Sequence, residues 1–445
     1  MQDAVTGSVE TGAFDAHNPP ARDLIDDCVH CGFCLPACPT YTLWGEEMDS
    51  PRGRIYLMKL AGEGAAAIDS TFVRHFDACL GCMACVTACP SGVKYDQLIE
   101  AVRPQIERNF RRGFGDRVFR GMVFQLFPRP GRMRVAALLA LLYQRMGVQA
   151  LVRLSRVARW LPARLATLDQ LLPRLTWAAI TATTPEVTPA TGHRRGRMGL
   201  LTGCVQRAFF GEVNAATVRV LAAEGCEVIA PRTQGCCGAL LMHSGLDAEA
   251  ASLARATIDC FEGENLDTVV VNAAGCGSAM KDYGRLLSGD PAYATRAVAF
   301  ASRVRDVCEV LAELGPVAPR HSMQARVAYH DACHLSHAQG VRQEPRMVLA
   351  GIPGLTVLEV PDSDICCGSA GIYNLVQPVP AAELGRRKAA AIASLQPDLV
   401  ATGNPGCLLQ LQAHLKEPLP LVHPVQLVDA AIRGVAQPTS SRSRR

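Results

Sequence analysis

The sequence predicts a mixed α+β and α/β fold: a helical, cysteine-dense N-terminal domain, a helical linker region and two repeated α/β subdomains. Three observations predict it. Eight of the 19 cysteines fall between about Asp26 and Tyr95, residues 111–177 contain none, and from Met198 onward short apolar strands alternate with helices. A chain of 445 residues is long enough for two or three compact units, each with its own core.

The overall composition is that of a globular protein and excludes intrinsic disorder, with 49% hydrophobic and 19% charged residues. Aromatic residues make up only 5% of the chain, which argues against a protein that stacks nucleic-acid bases. The formal net charge of +4 is too small to indicate a polyanionic partner. We therefore expect no nucleic-acid partner.

So many cysteines are typical either of a disulfide-linked secreted protein or of a cytosolic metal-binding protein. Residues 1–20 contain neither a basic cap nor an apolar run, so they do not resemble a secretory signal. No segment approaches 18 uninterrupted apolar residues. We expect a reducing, cytoplasmic compartment and no membrane-spanning helix.

The N-terminal domain contains the run C-x2-C-x2-C-x3-C-P twice, starting at Cys28 and at Cys79. This spacing is typical of ferredoxin-type [4Fe-4S] sites, in which three cysteines bind one cluster and the fourth reaches the other cluster. We expect each fourth cysteine to open a helix at its Cys-Pro step. The spacing therefore predicts two neighbouring [4Fe-4S] clusters, one held by Cys28, Cys31, Cys34 and Cys89, the other by Cys79, Cys82, Cys85 and Cys38.

Zinc is the main alternative at these cysteines, because four-cysteine zinc sites also use C-x2-C pairs, and structural disulfides are a weaker one. The gap between the two runs includes Arg52 and Arg54. These arginines either lie near the anionic clusters and raise their reduction potentials, or are solvated surface residues.

The linker region carries a concentrated positive charge. Residues 111–177 contain 13 Arg and two Asp, a local charge of +11. Apolar pairs alternate with Arg at helical spacing, which predicts short amphipathic helices with a basic face that includes Arg153, Arg156 and Arg159. We expect peripheral attachment to a membrane surface, and packing against a partner subunit is the alternative.

The C-terminal half repeats itself. Four cysteines recur at offsets of 129, 130, 130 and 131 residues, and each set includes a Cys-Cys-Gly step. This predicts two copies of one α/β subdomain. The two sets are Cys204, Cys236, Cys237 and Cys276, and Cys333, Cys366, Cys367 and Cys407.

Four thiols in each repeat make a ligand set, so we expect a further iron-sulfur cluster or a zinc ion in at least one repeat. Buried thiols or a redox-active dithiol are the alternatives. Gly238 and Gly368 are expected to adopt positive φ, which allows both sulfurs of each Cys-Cys pair to face one ligand. Cysteines outside the pattern are predicted to be core residues, namely Cys226, Cys260 and Cys308.

His330 and His334 flank Cys333, and we expect them to support the ligands by hydrogen bonding rather than to bind metal. No glycine-rich nucleotide motif occurs, so no flavin is expected in this chain. A [4Fe-4S] cluster carries one electron at a time, whereas oxidising a hydroxy acid removes two. The chain is therefore predicted to relay electrons for a partner flavoprotein.

The predicted domain boundaries follow these changes in composition. They are a disordered N-terminus at 1–20, the ferredoxin-type domain at 21–110, the Arg-rich helical region at 111–180, a linker at 181–197, the Cys-Cys-Gly repeats at 198–320 and 321–435, and a disordered tail at 436–445.

Several segments together resemble the iron-sulfur subunit of bacterial glycolate oxidase: CVHCGFCLPACPTYTLWGEEMDSPRGRIYLMK, CLGCMACVTACPSGVKY, QGCCGA, PDSDICCGSAGIYNL and NPGC. The resemblance implies a complex in which FAD-binding subunits oxidise glycolate to glyoxylate and pass electrons through this chain to a membrane quinone. It implies the same cluster ligands and no catalytic residue in this chain. It also implies a location at the inner face of the cytoplasmic membrane.

Related chains leave three alternatives open. The donor is lactate or glycerol 3-phosphate, the Cys-Cys-Gly repeats themselves catalyse reduction of a disulfide, or the chain is a non-redox zinc scaffold. The repeats of heterodisulfide reductase close with C-x2-C, whereas Ala279 and Gln410 stand at the corresponding positions here. A five-cysteine cluster is therefore not expected.

Overall fold

The computed structural model describes residues 12–155 and 162–435. They form two compact units: the first runs to Arg117 and includes His243–Leu246, and the second contains the remainder. Predictions for residues 1–11, Arg156, Arg159 and the tail 436–445 lie outside the described residues.

The first unit is helical and has its own apolar core, which includes Phe72, Phe76 and Leu98. Side-chain caps fix two of its helix starts. The Ser50 hydroxyl accepts a hydrogen bond from the backbone N–H of Gly53, and the Asp69 carboxylate caps the next helix. The helices are α1 Arg22–Asp26, α2 Pro39–Trp44, α3 Pro51–Gly62, α4 Ser70–Ala78, α5 Ala84–Thr87 and α6 Tyr95–Asn109, with a 3-10 turn at Glu47–Asp49.

The two Cys-Pro steps differ. Cys38 caps α2, and Pro39 is the first residue of that helix, as predicted. After Cys89, by contrast, the chain turns through Gly92 at φ +69°, and α6 begins only at Tyr95, so the predicted helix start is wrong there. A glycine that adopts positive φ favours a turn over continuation of a helix.

Part of the segment predicted to be disordered is held in place. The Asp15 carboxylate accepts hydrogen bonds from Arg108 and Asn109, and the Asp15 backbone N–H donates to Gln105. Asp15 thus lies against the C-terminal end of α6, while the backbone N–H of Ala13 donates to the carbonyl of Ala61 in α3.

Helix α7, Phe114–Leu126, runs across the boundary between the units. The linker region continues in the second unit with α8 Pro130–Arg145, α9 Val148–Leu154, α10 Ala163–Leu171 and α11 Trp177–Thr181. Prolines stand at the starts of α8 and α10 and limit how far each helix extends towards its N-terminus. Among the described helices, none is by itself long and apolar enough to cross a membrane, although α8 and α9 together, bent by 65°, reach that length and composition.

The second unit contains two sheets of matching topology. One has the order β1-β3-β2-β4-β5, in which only β1 is antiparallel to its neighbour, and the other is the parallel sheet β7-β6-β8-β9. The order β3-β2-β4-β5 recurs as β7-β6-β8-β9, which confirms two copies of one α/β subdomain. The strands are β1 Val187–Thr188, β2 Gly196–Leu201, β3 Cys226–Ile229, β4 Thr268–Val271, β5 Val304–Asp306, β6 Ala325–Tyr329, β7 Leu355–Glu359, β8 Leu399–Ala401 and β9 Leu421–Val422.

Helices surround both sheets, and one continuous core joins the two copies, with Val220 and Leu221 of one helix and Leu427 and Val428 of another among its members. The helices are α12 Val205–Phe209, α13 Gly211–Ala223, α14 Ala239–Met242, α15 Asp247–Glu262, α16 Ala274–Lys281, α17 Tyr283–Leu286, α18 Ala294–Ala301, α19 Val307–Leu314, α20 Glu344–Ala350, α21 Tyr373–Val376, α22 Pro378–Ser394, α23 Pro405–His414 and α24 Pro424–Arg433, with a π-helical segment at His334–Ala338.

Candidate iron-sulfur and metal sites

The first predicted ligand set lines a single cavity in the first unit. Its loop turns back on itself, because His30 and Gly32 both adopt positive φ. Arg52 closes one side: its guanidinium donates to the backbone carbonyl oxygen of His30 at 3.0 Å and pairs with Glu47 at 2.6 Å. The sulfurs brought to this cavity include those of Cys28, Cys31, Cys34 and Cys89.

The second predicted ligand set lines a neighbouring cavity. The structure brings to it Cys38, Cys79, Cys82 and Cys85, together with Thr40, Arg54 and Tyr95. The backbone N–H of Gly81 donates to the Cys79 sulfur at 3.4 Å, and the Tyr95 hydroxyl lies 3.5 Å from the same sulfur. Each motif thus sends its fourth cysteine to the cavity of the other.

Arg54 is the largest fully buried side chain of the first unit and lies beside the second cavity. Its Nε donates to the backbone carbonyl of His75 at 2.7 Å, and its other nitrogens reach Thr40 and Asp49. The Asp49 carboxylate also lies 2.9 Å from His75 Nδ1. Arg54 is therefore a fixed, desolvated positive charge and not a solvated surface residue.

The surroundings shift the pKa values of the thiols of this unit in different directions. Burial raises the pKa of Cys34 to about 11, and burial together with the neighbouring Cys82 raises the pKa of Cys85 well above its usual value. Burial also opposes ionisation of Cys79, but the charges of Arg54 and Arg103 hold the pKa of Cys79 below its usual value.

The donor sets fit [4Fe-4S] clusters. Four cysteines, the ligand number of such a cluster, line the second cavity, and five line the first, of which Cys85 also lines the second. Buried thiolates also need a cationic partner. None of the 19 cysteines forms a disulfide, and all of them lie within the described residues.

The cysteines of the first repeat converge at the carboxyl ends of its parallel strands. Cys204 follows β2, Cys236 and Cys237 follow β3, and Cys276 lies in α16 after β4. The sulfurs of Cys204 and Cys236 are 3.6 Å apart, and the Tyr283 hydroxyl donates to the carbonyl of Cys237 at 2.6 Å.

The second repeat has the same arrangement. The sulfurs of Cys333 and Cys366 are 3.8 Å apart, and Asn404 donates to the Cys407 sulfur at 3.4 Å. The contact with Cys366 lowers the pKa of Cys367, but the contact with Cys407 and burial together outweigh it and raise this pKa well above its usual value. Each repeat thus brings its four predicted cysteines together.

Gly238 and Gly368 adopt φ of +83° and +89°, as predicted from the Cys-Cys-Gly steps. A Cβ at Gly368 would lie 2.6 Å from the carbonyl oxygen of Ala381, and one at Gly238 would lie 3.2 Å from that of Ala250. Glycine is therefore required both for the backbone conformation and for the close approach of a helix.

The remaining cysteines divide into two classes. Cys226 and Cys308 are buried in the core, as predicted. The prediction is wrong for Cys260, which is only partly buried and contacts the Thr233 hydroxyl at 3.4 Å. Cys260 lies at the edge of the buried face of α15 rather than within it.

The histidines beside Cys333 differ in position. His334 Nδ1 lies 3.6 Å from the Cys333 sulfur. His330, expected only to support a ligand, has a ligand atom that lies within 4.8 Å of the sulfurs of Cys367 and Cys407. Burial lowers the pKa of His330 to about 3, so its imidazole is neutral.

Family models match most of the chain. The 4Fe-4S dicluster domain matches residues 24–93, and the cysteine-rich domain matches 198–281 and again 327–412. The linker region of the glycolate oxidase iron-sulfur subunit matches 115–172.

Two relatives match over nearly their whole length. The probable glycolate oxidase iron-sulfur subunit of Bacillus subtilis is 40% identical over 93% of this chain and 95% of its own. The chain belongs to the family of glycolate oxidase iron-sulfur subunits. The glycolate oxidase iron-sulfur subunit of Escherichia coli is 36% identical over 89% of this chain and 90% of its own. Lactate utilization protein A of Oceanobacillus iheyensis is 28% identical over 49% of this chain.

As a member of the glycolate oxidase iron-sulfur subunit family, the chain uses iron-sulfur clusters as cofactors, and its N-terminal domain is the dicluster domain of that family. The feature that sequence reasoning missed is the approach of His330 to two cysteines. Aligning the two repeats singles out His330 as a difference between them, because the offset of 129 residues places it opposite Leu201, but the alignment does not show which cysteines it approaches.

Proposed function

We propose that this chain is the electron-transfer subunit of a glycolate dehydrogenase complex. An FAD-binding partner subunit oxidises glycolate to glyoxylate and takes up two electrons, which then leave one at a time through this chain toward a membrane quinone. Glycolate is favoured over lactate as the donor, because the relatives that match 93% and 89% of this chain are named for glycolate oxidase, whereas the lactate utilization protein matches only 49% of this chain.

The observation that carries the proposal is the crossed arrangement of the eight N-terminal cysteines in two adjoining cavities. We assign one [4Fe-4S] cluster to each cavity, and when bound the clusters supply single-electron transfer. The chain itself holds them and places charge beside them. The ligand sets are Cys28, Cys31, Cys34 and Cys89, and Cys79, Cys82, Cys85 and Cys38.

The relay is tested by Cys31→Ser in the assembled complex. We expect glycolate to reduce the flavin of the partner at the normal rate, while reduction of a quinone analogue falls at least 100-fold. Cys260→Ser is the matched control, because Cys260 lies outside every cysteine group, and it should leave both steps unchanged. Loss of flavin reduction in the Cys31 variant would contradict the relay.

We propose further that the cysteines of each repeat bind a metal ion or an additional cluster. Support comes from the sulfur separations of 3.6 and 3.8 Å and from the burial of most of these thiols. A cluster of buried thiols without a cation would have to remain protonated, whereas metal binding stabilises the thiolates.

We also propose that α8 contacts the cytoplasmic face of the membrane. One side of α8 packs Met133, Ala137 and Leu141 into the unit. The opposite side exposes apolar residues at helical spacing, with exposed arginines alongside, and such a surface suits an anionic leaflet. The exposed apolar residues are Val135, Leu139, Leu142 and Met146.

A further inference from the structure

The two repeats differ at one buried position beside their cysteines. His330 is only 1% exposed, and its Nδ1 finds no hydrogen-bond partner among the described residues. A buried polar nitrogen without a partner destabilises the folded protein, so such a group needs an explanation. One ligand atom each of His330, Cys367 and Cys407 lies within 4.8 Å of the other two.

The first repeat offers no such nitrogen. Leu201 stands at the position of His330, at the end of the equivalent strand, and is buried in the same way. A leucine contributes no ligand atom. The two repeats therefore present different donor sets, four thiols in the first and four thiols with an imidazole in the second.

In the second repeat, Gln410 occupies the position where a fifth cysteine would stand, and hydrogen bonds hold its side chain. Gln410 donates to the carbonyl oxygen of Ala381 at 2.8 Å and accepts from Asn374 at 3.1 Å, so its amide is engaged away from the cysteines. The additional donor is His330, the residue that directly follows β6.

A second difference concerns charge. Lys388 is 3% exposed, donates to the carbonyl oxygen of Asp362, and lies close enough to Cys366 and Cys367 to interact electrostatically with both. The contacts of Gly238 and Gly368 align α15 with α22 at an offset of 131 residues, which places Thr257 opposite Lys388. The second repeat therefore has a buried ammonium beside its Cys-Cys pair where the first repeat has a hydroxyl, while the cation of the first repeat, Arg207, interacts with Cys204 instead.

We propose that the second repeat binds a single Zn²⁺ ion through His330, Cys367, Cys407 and one further thiolate of its group, whereas the first repeat has no imidazole ligand. This inference rests on the proposal that the repeat cysteines bind metal. Structural zinc sites are tetrahedral and commonly combine three Cys with one His. With Zn–S of about 2.3 Å and Zn–N of about 2.0 Å, neighbouring donor atoms lie roughly 3.3–3.8 Å apart, and the three donors here are close enough to share one ion.

Such a site carries a charge of about −1, from three thiolates and one divalent ion, and the ammonium of Lys388 balances it. Zinc binding through Nδ1 of His330 would also give this buried nitrogen the partner that the described residues do not supply. Zinc has no redox chemistry, so this centre would stabilise the fold of the repeat and would not carry electrons.

The test is the zinc and iron content of the full chain purified without oxygen, compared among four variants. His330→Leu copies the residue of the first repeat, and His330→Cys keeps a donor atom. His337→Gln is the matched control, since His337 is a buried histidine of the same repeat whose ring nitrogens contact Asp364 and Arg342. Cys367→Ser tests the cysteine group itself.

We expect about one zinc per chain in the parent protein and at least a tenfold loss in His330→Leu, with iron unchanged. Zinc should be retained in His330→Cys and His337→Gln. Absence of zinc from the parent protein, or full retention in His330→Leu, would overturn the inference. Loss of metal in Cys367→Ser alone would leave the cysteine proposal standing and refute only the role of His330.

X-ray absorption at the zinc edge of the parent protein keeps the inference testable if His330→Leu does not fold. We expect sulfur scatterers together with the outer-shell signal of one imidazole. A shell of sulfur alone would overturn the inference.

Discussion

The guanidinium of Arg54 lies 3.2 Å from the hydroxyl of Thr40, and both side chains are buried. The same hydroxyl lies 3.2 Å from the Cys38 sulfur and donates to the backbone carbonyl of Asp49 at 2.5 Å. The positive charge of Arg54 is therefore fixed close to Cys38, a proposed cluster ligand, with the Thr40 hydroxyl between them. Because reduction adds negative charge to a cluster, a nearby cation favours the reduced state.

Replacing Arg54 should therefore lower the reduction potential of the cluster in the second cavity. We expect a decrease on the order of 100 mV in Arg54→Met, from an interaction of roughly 3 kcal/mol at an effective dielectric constant of about 20. Asp49→Asn removes a negative charge from the same network and should raise the potential. The measurement is a redox titration followed by EPR.

Arg52→Met is the control for that series. Arg52 is more exposed than Arg54, pairs with Glu47 and lies at the first cavity. It should shift mainly the other cluster, and by less, because solvent screens its charge. Shifts of the same sign in Arg54→Met and Asp49→Asn would contradict the electrostatic explanation.

The crossed ligand sets predict which cluster each cysteine controls. Cys89→Ser should remove the signal that Cys31→Ser removes, although Cys89 belongs to the second motif. Cys38→Ser should remove the signal that Cys82→Ser removes. Iron content and EPR of the reduced protein measure both outcomes, and pairing by motif instead of by cavity would refute the assignment.

Spacing was sufficient to predict which cysteines share a cavity, because it limits where a short loop can place its thiols. The three cysteines after Asp27 are separated by two residues each, so a single turn brings them to one cavity whatever surrounds it. The repeat could also be predicted from the sequence, since cysteines that recur at nearly constant offsets imply matching strand ends, and the two sheets have the same strand order.

Features that depend on three-dimensional packing could not be predicted in this way. The burial of Arg54 depends on contacts with Thr40, Asp49 and His75, which lie 5 to 21 residues away along the chain. Similarly, His330 meets Cys407 because β6 and β8 are adjacent in the sheet. Local sequence contains no information about that adjacency.

The Cys-Cys-Gly steps predict unequal responses to the same substitution. Gly368→Ala must accommodate a Cβ 2.6 Å from the Ala381 carbonyl in addition to an unfavourable φ, whereas Gly238→Ala meets its nearest atom at 3.2 Å. Both should lose stability, by at least about 1–3 kcal/mol from the backbone alone, with the larger loss at Gly368.

Thermal unfolding and metal content of the two variants measure that difference. Gly235→Ala is the control, because its Cβ would meet nothing within 4 Å and its φ is not positive. We expect Gly235→Ala to unfold near the temperature of the parent protein. Equal losses in all three variants would show that the Cys-Cys-Gly conformation is not what glycine provides.

The exposed apolar side of α8 predicts binding to anionic vesicles. Leu139→Glu with Met146→Glu places two carboxylates on this side, which weakens apolar burial and repels anionic headgroups, so binding to anionic vesicles should fall at least tenfold. Binding of the parent protein should weaken as salt is added and should be much weaker for neutral vesicles. Flotation of the purified chain with each type of vesicle measures these effects.

Val379→Glu with Met347→Glu is the matched control, because both residues are exposed apolar side chains on α22 and α20 of the second repeat. This control should float with anionic vesicles as well as the parent chain does, since neither of its charges lies on the exposed apolar side of α8. If the α8 variant instead keeps vesicle binding and loses its flavoprotein partner during co-purification, then α8 is a subunit interface and the membrane proposal is wrong. The two outcomes are separable because vesicle binding is measured on the chain alone, without the partner.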